Sequence, residues 1–434
     1  MNFTEEQILN LAPDEASRKA GKALAYTAAW VSAGENERAL WGECRGSGSK
    51  PYQTQIDLVT MSFKCSCPSR KFPCKHGIGL MLLYTKEPSF FTENKMPGWV
   101  EEWIDKRTGR LEKQAAKKEK SVDEMAQAKR QQAREQKIND GIEELLLWMK
   151  DIIRHGLLTV PEKGHLLFAN LSRRMIDAQA PGLARLVAAA GNINFFEEGW
   201  QQQLLDQLAR IYLVASGFKN QDKIAGLLKQ DIRTFIGFPQ SQDSLANEPV
   251  LRDCWLVLAK DVIEEESVTT ERYWLYGMQT GKYALVLQFL IRGQGGQFHF
   301  MPGVFIDAEL IFYPSVLPQR ATVRNHTIIE NNGQPNALAD WQAVLSGQAK
   351  AYSLLPFKNE APYIVQKLKP VHWNDQWYLQ DETMRVMPLA RSFEKIWSLL
   401  ALSGGGALTM AVIGQEKEFE PVGVWTDGVY KALF

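Results

Sequence analysis

The sequence predicts a multidomain α+β protein, in which a small ββα-like unit precedes a central helical array and a C-terminal domain of mixed α+β structure. Three observations support this fold class. Three of the five cysteines and one histidine lie within residues 65–76. Apolar residues recur with a helical period between about 139 and 236, and strand-like segments dominate after about 250. Because 434 residues exceed the length of one typical core, each pattern is assigned to its own domain.

The N-terminal region is predicted to begin with one or two helices over residues 1–35. Thr4 and Gln7 have the spacing of a capping box at a helix start. Residues 40–45 and 52–58 are expected to be strands, and the second alternates apolar and polar side chains, as a half-buried strand does. The apolar run 77–84 indicates a helix. We therefore expect strands, a cysteine-rich turn and a helix in this order.

Cys65, Cys67, Cys74 and His76 form the pattern C-x-C-x6-C-x-H. Side chains two residues apart on a strand point to the same face, so Cys65 and Cys67 can offer both sulfurs from one strand end. The second pair lies where the apolar helix is expected to begin. Thiolate and imidazole are the donors that a structural, four-coordinate zinc ion prefers. The sequence therefore predicts Zn²⁺ in a closed site with a structural rather than a catalytic role.

The cysteines allow two other interpretations. A disulfide between Cys67 and Cys74, or free thiols, is disfavoured because the N-terminus lacks the pattern of a secretory signal. Cys44 is isolated from the cluster and is expected to be a buried apolar residue rather than a ligand.

The motif and its surroundings resemble the SWIM zinc finger of bacterial proteins. The resemblance rests on the C-x-C-x6-C-x-H pattern followed by an apolar helix, and on the segments 41–48, 67–76 and 174–184. It implies that Cys65, Cys67, Cys74 and His76 are the metal ligands. It also implies binding to DNA or proteins. Bacterial proteins of this kind are associated with MoxR-type ATPases and von Willebrand A-domain proteins, so such a protein partner is expected here.

The remaining chain is divided by composition. The segment 105–137 carries eleven Lys and Arg against six Asp and Glu, which favours a solvated linker, with a nucleic-acid-binding arm as the alternative. Amphipathic stripes predict four or five helices downstream. We expect these domains: 1–104 with N-terminal helices and the SWIM zinc finger (core 40–85), 105–138 as a charged helical linker, 139–245 as a helical domain, and 246–434 as an α+β domain of unknown fold.

The C-terminal domain is expected to contain strands and two helices, over 336–350 and 392–403. No phosphate-binding loop, metalloprotease motif or nucleophile elbow occurs in the sequence. An enzyme is therefore not expected. The alternative is an enzyme whose C-terminal domain has a pocket lined by Trp373, Trp377 and Trp425. Core packing explains these tryptophans equally well.

The charge pattern leaves two functions open. The chain has 50 basic and 50 acidic side chains and no long apolar segment, so a cytoplasmic protein with no membrane span is expected. Locally, residues 45–75 contain six bases and one acid, which can neutralise nucleic-acid phosphates, while Tyr52 or Phe72 can stack on a base. The sequence equally allows an adaptor, in which the zinc unit, the helical array and the C-terminal domain present surfaces to other proteins. DNA binding through the basic zinc-finger surface is the alternative to this adaptor function. The candidate nucleic-acid contacts are Arg45, Lys50, Lys64, Arg70, Lys71 and Lys75.

Overall fold

A computed structural model describes most of the chain. The described residues are 3–46, 48, 50–69, 71–116, 124–157, 160–240, 245, 247–264, 268–291, 296–331, 333–358, 360–415 and 417–433. Their helices are α1 (Glu5–Leu9), α2 (Glu15–Lys22), α3 (Lys75–Lys86), α4 (Gly98–Ala116), α5 (Glu124–His155), α6 (Val160–Asp177), α7 (Pro181–Gly191), α8 (Trp200–Lys219), α9 (Gly226–Ile236), α10 (Trp341–Leu354) and α11 (Ile396–Ser403).

The strands fall into an N-terminal group and a C-terminal group. The N-terminal strands are β1 (Trp30–Glu35), β2 (Ala39–Cys44), β3 (Tyr52–Asp57) and β4 (Ser62–Cys65). The C-terminal strands are β5 (Val250–Glu264), β6 (Val268–Gly277), β7 (Tyr283–Ile291), β8 (Phe305–Phe312), β9 (Arg320–Ile329), β10 (Glu360–Trp373), β11 (Gln376–Gln380), β12 (Val386–Pro388), β13 (Leu408–Gln415), β14 (Glu418–Thr426) and β15 (Val429–Ala432). The multidomain α+β class is confirmed.

The N-terminal unit is a four-stranded antiparallel sheet in the order β1-β2-β3-β4. Helix α3 covers one face, where Ile78 and Leu80 join Leu40 and Ile56 in a fully buried core. Helix α4 covers the other face. The predicted strands 40–45 and 52–58 correspond to β2 and β3, and the predicted helix 77–84 lies within α3; β4, which ends at Cys65, lies between β3 and α3 in the chain. The expected capping box is also present, since Thr4 and Gln7 exchange hydrogen bonds at the start of α1.

Two details of this unit differ from the sequence-based predictions. Residues 30–35 form strand β1, not helix, and pair with β2 along the sheet edge. Strand β3 is not half-buried, because Thr54, Gln55, Ile56 and Asp57 are all buried. The polar face of β3 is covered by α4, and the Gln55 side chain donates a 3.5 Å hydrogen bond to the carbonyl of Trp99. Alternation in the sequence cannot show that a distant helix covers the polar face.

The charged segment and the helical array are helical where they are described. Helix α4 begins at Gly98, and α5 runs from Glu124 into the bundle core at Ile138. Residues 117–123 of the predicted linker lie outside the described residues. Helices α5–α9 enclose an apolar core. The prediction that the apolar stripes are core is wrong for four residues, whose side chains are about half exposed: Ile153, Leu205, Tyr212 and Leu227.

The C-terminal region contains two sheets. Strands β5-β6-β7-β9-β8 close into a barrel through one parallel pair, in which Leu285 lies opposite Arg320. Strands β12-β11-β10-β13-β14-β15 form an antiparallel six-stranded sheet. One face of this sheet packs on the barrel around Trp274 and Ile364. Its other face packs beneath α10 and α11.

Helices α10 and α11 begin a few residues after their predicted starts. Asp340 caps α10 by accepting a hydrogen bond from the Ala343 amide. None of the helices in the described part of the chain combines the length and apolar character needed to span a bilayer.

Candidate metal centre

The β3–β4 hairpin and the start of α3 place four donor side chains at one end of the N-terminal sheet. Cys65 is the last residue of β4, and Cys67 follows two residues later. Cys74 is the N-cap of α3 with extended backbone angles, and His76 lies in the first turn of that helix. The two ligand pairs therefore come from a strand end and a helix start, as the sequence predicts.

The four donor atoms converge on a common point. The sulfurs of Cys65, Cys67 and Cys74 and a ring nitrogen of His76 all lie within 4.8 Å of one another. The His76 Nδ1 atom is 3.6 Å from the Cys65 sulfur and 3.9 Å from the Cys74 sulfur. A sulfur and a nitrogen bound to one tetrahedral zinc ion are separated by roughly 3.6 Å. The spacing is thus that of ligands around a single metal ion.

The protonation of the cluster shows how strongly its members interact. Hydrogen bonds from Cys65 and then Cys74 lower the pKa of Cys67, which favours a thiolate. The corresponding bonds to Cys65 and Cys67, aided by burial, raise the pKa of Cys74. Burial opposes the charged form of His76, but hydrogen bonds to Cys65 and Cys67 outweigh it and raise its pKa to about 9. A metal ion would replace the protons that these groups now share.

Two neighbouring side chains complete the surroundings of the donors. The hydroxyl of Thr54, directly opposite Cys65 in the sheet, lies 3.2 Å from the Cys65 sulfur. The Tyr52 ring lies on the imidazole of His76 with a centroid separation of 5.0 Å. Such outer contacts fix the orientation of metal ligands. Sequence reasoning identified neither role, although the position of Thr54 on the cysteine face of β3 was a usable signal.

The four donor side chains have the chemistry that a tetrahedral metal ion requires. Three sulfurs and one imidazole nitrogen satisfy four-coordination without a water or substrate position. Cys44 lies in the core outside this cluster, where burial raises the pKa of its thiol to about 11. Cys44 is therefore an apolar core residue, in agreement with the sequence prediction.

The candidate basic residues do not all have the same surroundings. Arg45, Lys50, Lys64 and Lys75 are exposed, and none of them forms an ion pair within the described residues. Lys71 forms an ion pair with Asp14, and this contact lowers the pKa of Asp14 to about 2. Arg70 lies outside the described residues. The β2–β3 turn and the four donors share one end of the sheet, so Arg45, Lys50 and Lys75 belong to the same end.

The three tryptophans considered for a pocket have separate environments. Trp373 is 65 % exposed beside the β10–β11 turn. Trp377 packs on the helix-covered face of the six-stranded sheet. Trp425 packs against Tyr430 on the barrel-facing side, with ring centroids 4.6 Å apart. These residues do not share a pocket.

Comparison with known protein families gives two matches. The family model of the SWIM zinc finger matches residues 52–84. The family model of the SWIM-associated four-helix bundle domain matches residues 133–236. Neither the search of curated proteins nor the search of solved structures gave a match. The chain therefore combines a SWIM zinc finger, whose four donor residues form the metal cluster, with a SWIM-associated four-helix bundle domain.

Proposed function

We propose that the protein is an adaptor in which a structural zinc ion folds the N-terminal unit and the helical bundle binds a protein partner. The observation that supports this function most is an exposed apolar stripe on α8. The stripe consists of Leu205, Ala209, Tyr212 and Leu213. No catalytic step is part of this proposal.

The zinc component follows from the donor set. Four protein donors leave no open coordination position, so the ion has a structural rather than a Lewis-acid role. Metal binding at such a site is coupled to folding, because the unfolded chain does not preform the donor geometry. Zinc would therefore hold the end of β4 against the start of α3.

The partner-binding component follows from the two faces of α8. Leu204, Leu208 and Ile211 are buried in the bundle core, as expected for one face of an amphipathic helix. On the solvent side, Leu205 is 46 % exposed and Tyr212 is 53 % exposed. Their spacing of seven residues places them on one line along the helix. Contiguous exposed apolar surface is typical of protein-binding sites.

The partner class comes from the family resemblance: a MoxR-type ATPase or a von Willebrand A-domain protein. The test uses the purified zinc-loaded protein with each of these two partners from the same genome. Analytical ultracentrifugation measures complex formation for the wild type and for Tyr212→Glu, which places a charge in the stripe. The control is Ile176→Glu, since Ile176 is equally exposed on α6 of the same bundle.

The expected result is a complex that Tyr212→Glu weakens at least tenfold and Ile176→Glu leaves intact. Substitution of one central interface aromatic commonly costs about 2 kcal/mol or more. Equal binding by both variants would remove the stripe from the interface. No complex with either class of partner would contradict the adaptor function as stated.

A second candidate function is nucleic-acid binding at the metal end of the sheet. It is favoured by Arg45, Lys50 and Lys75, which are exposed at the end of the sheet that holds the donors, where the N-terminus of α3 also adds positive potential. Binding to single-stranded DNA, double-stranded DNA and RNA should be measured at low and physiological salt. The double variant Lys50→Glu/Lys75→Glu should abolish salt-dependent binding, whereas Lys369→Glu/Lys431→Glu should not. Identical binding by the two double variants would exclude this surface.

A further inference from the structure

A cleft lies where the helical bundle, the barrel and the C-terminal sheet meet. Its volume is about 710 Å³. This is within the range of roughly 300–1,000 Å³ that is typical of small-molecule sites, which also occur preferentially at domain junctions. The walls are mainly apolar and aromatic: Leu227, Pro249, Tyr283, Phe312, Tyr313 and Pro318.

The cleft is held in shape by a contact between two domains. The loop between β8 and β9 forms one wall, and the amide of Val316 in this loop donates a 2.9 Å hydrogen bond to the carboxylate of Asp231 on α9. Asp231 is partly buried at this junction, and this burial raises the pKa of its carboxyl group. The bundle and the barrel loop are therefore fastened together beside the cleft.

Lys358 supplies an unmatched positive charge to this apolar site. It precedes β10, lines the cleft and is partly buried. No carboxylate lies within ion-pair distance of its amine in the part of the chain that the structure describes. Burial lowers the pKa of Lys358 to about 8. A partly buried ammonium without a counter-ion beside it is unfavourable, so an anion placed there would be stabilised.

A second lysine, Lys282, adds positive charge at the mouth of the cleft. The amine of the exposed Lys282 lies 6.0 Å from the centroid of the Phe312 ring, at the edge of the apolar wall. Among the described residues that line this cleft, Glu248 is the only acid. The charge and the wall chemistry thus agree: the ligand should have an anionic group for Lys358 and a flat apolar body for the aromatic and proline walls.

We propose that this cleft is a binding site for a small aromatic carboxylate, with the carboxylate beside Lys358 and the ring system against Tyr283 and Phe312. The site is separate from the metal cluster and from the α8 stripe. It would give the protein a small-molecule ligand in addition to its macromolecular partner. No chemical step is required of any residue in it.

The test uses two probes of the same shape. Isothermal titration calorimetry measures binding of 2-naphthoate, which is anionic, and of 2-naphthamide, which is neutral. The wild type should bind naphthoate at least tenfold more tightly than naphthamide, because only the carboxylate can pair with the Lys358 ammonium. Lys358→Met keeps the unbranched stem and removes the charge. It should reduce the naphthoate affinity about tenfold and leave the naphthamide affinity unchanged.

Two further variants make each outcome decisive. Lys431→Met removes an exposed lysine outside the cleft and should leave both affinities unchanged. Leu227→Trp places a bulky ring in the cleft and should prevent binding of both probes. Circular dichroism verifies that each variant is folded. Equal binding of naphthoate and naphthamide, or an unchanged naphthoate affinity in Lys358→Met, would overturn the proposal, as would the absence of saturable naphthoate binding to the wild type.

Discussion

The Ser62 hydroxyl donates a 3.0 Å hydrogen bond to the carbonyl of Gln297, a residue 235 positions further along the chain. Arg107 donates to the same two oxygens, at 2.7 Å and 2.9 Å. The adjacent Phe63 ring meets the His299 ring edge-on at 5.8 Å. Ser62 and Phe63 belong to the strand that ends at Cys65. The metal-binding strand is therefore docked on the segment between β7 and β8, whose Phe298 and Phe300 pack in the same core as the barrel.

Because of this contact, we expect the loss of zinc to reduce the stability of the barrel segment that contacts β4. Cys67→Ser should release zinc and loosen β4, because metal binding is coupled to folding at such sites. The amides of residues 296–304 should then exchange with deuterium faster, together with those of 62–65. Hydrogen exchange followed by mass spectrometry measures both segments.

The matched control is Cys254→Ser, since Cys254 lies on β5 outside the metal cluster. It should retain one equivalent of zinc and normal protection of residues 62–65. If Cys67→Ser lost protection at 62–65 alone, the zinc-binding strand and the barrel end would be energetically independent despite their contact.

We expect the Thr54 hydroxyl to contribute measurably to the zinc affinity of the site. Thr54→Val keeps the side-chain shape but removes the group that lies 3.2 Å from the Cys65 sulfur. Loss of such an outer contact typically weakens metal binding by about 10–100-fold. Chelator competition should therefore give a zinc affinity at least tenfold lower than that of the wild type.

Thr426→Val is the appropriate comparison for this substitution. The Thr426 hydroxyl is buried without a hydrogen-bond partner in the described chain, so its replacement removes no contact. Zinc affinity should stay at the wild-type value. A Thr54→Val protein with wild-type affinity would show that the hydroxyl does not support the thiolate.

The metal site could be predicted from the sequence because its donors are local. All four lie within residues 65–76, and the i, i+2 spacing of each pair translates directly into a strand end and a helix start. The helical stripes were predictable for the same reason, except where residues such as Leu205 and Tyr212 are exposed on the solvent side. Composition alone does not separate a core stripe from an exposed apolar stripe.

The barrel could not be predicted, because its closure depends on pairings between distant strands. Strand β5 pairs with β8 through Cys254 and Asp307, and β7 pairs in parallel with β9. Phe298, Phe300 and Met301 pack in the same core as the barrel side chains, although they lie outside the strands. The environment of Lys358 could not be predicted for the same reason, because residues distant in sequence bury part of its side chain and line the cleft beside it.

The His326 side chain predicts a pH dependence of stability. It packs against the Phe300 ring at 5.1 Å, and burial lowers its pKa from 6.5 to about 4. Between pH 6.5 and 4 the unfolded chain binds a proton there that the folded protein does not, so stability falls as the pH falls. The loss across this window is about 3 kcal/mol.

Urea unfolding between pH 4 and 8 measures this effect as a difference between proteins. His326→Gln has no titrating side chain at this position, so its stability should decline less steeply with falling pH than that of the wild type. His155→Gln, which replaces an exposed histidine at the end of α5, should follow the wild type. The same pH dependence in all three proteins would remove His326 as its source.

Gly182 lies at a close contact between α7 and α9. A Cβ atom at this position in α7 would lie 1.6 Å from the carbonyl oxygen of Phe235 in α9. Because backbone cannot move as a flexible side chain does, Gly182→Ala should force the two helices apart. We expect a loss of about 3 kcal/mol or more in the free energy of unfolding, at the upper end of overpacking effects.

Gly226→Ala provides the control within the same helix pair, because a Cβ at Gly226 would meet no atom within 4 Å. Removing a glycine from a helix there should raise stability by about 0.5–1 kcal/mol. Thermal unfolding of the two variants should therefore shift the midpoint in opposite directions. A Gly182→Ala protein as stable as the wild type would mean that α7 and α9 are not in the contact described, and that the exposed stripe on the neighbouring α8 is not held in its present orientation by that packing.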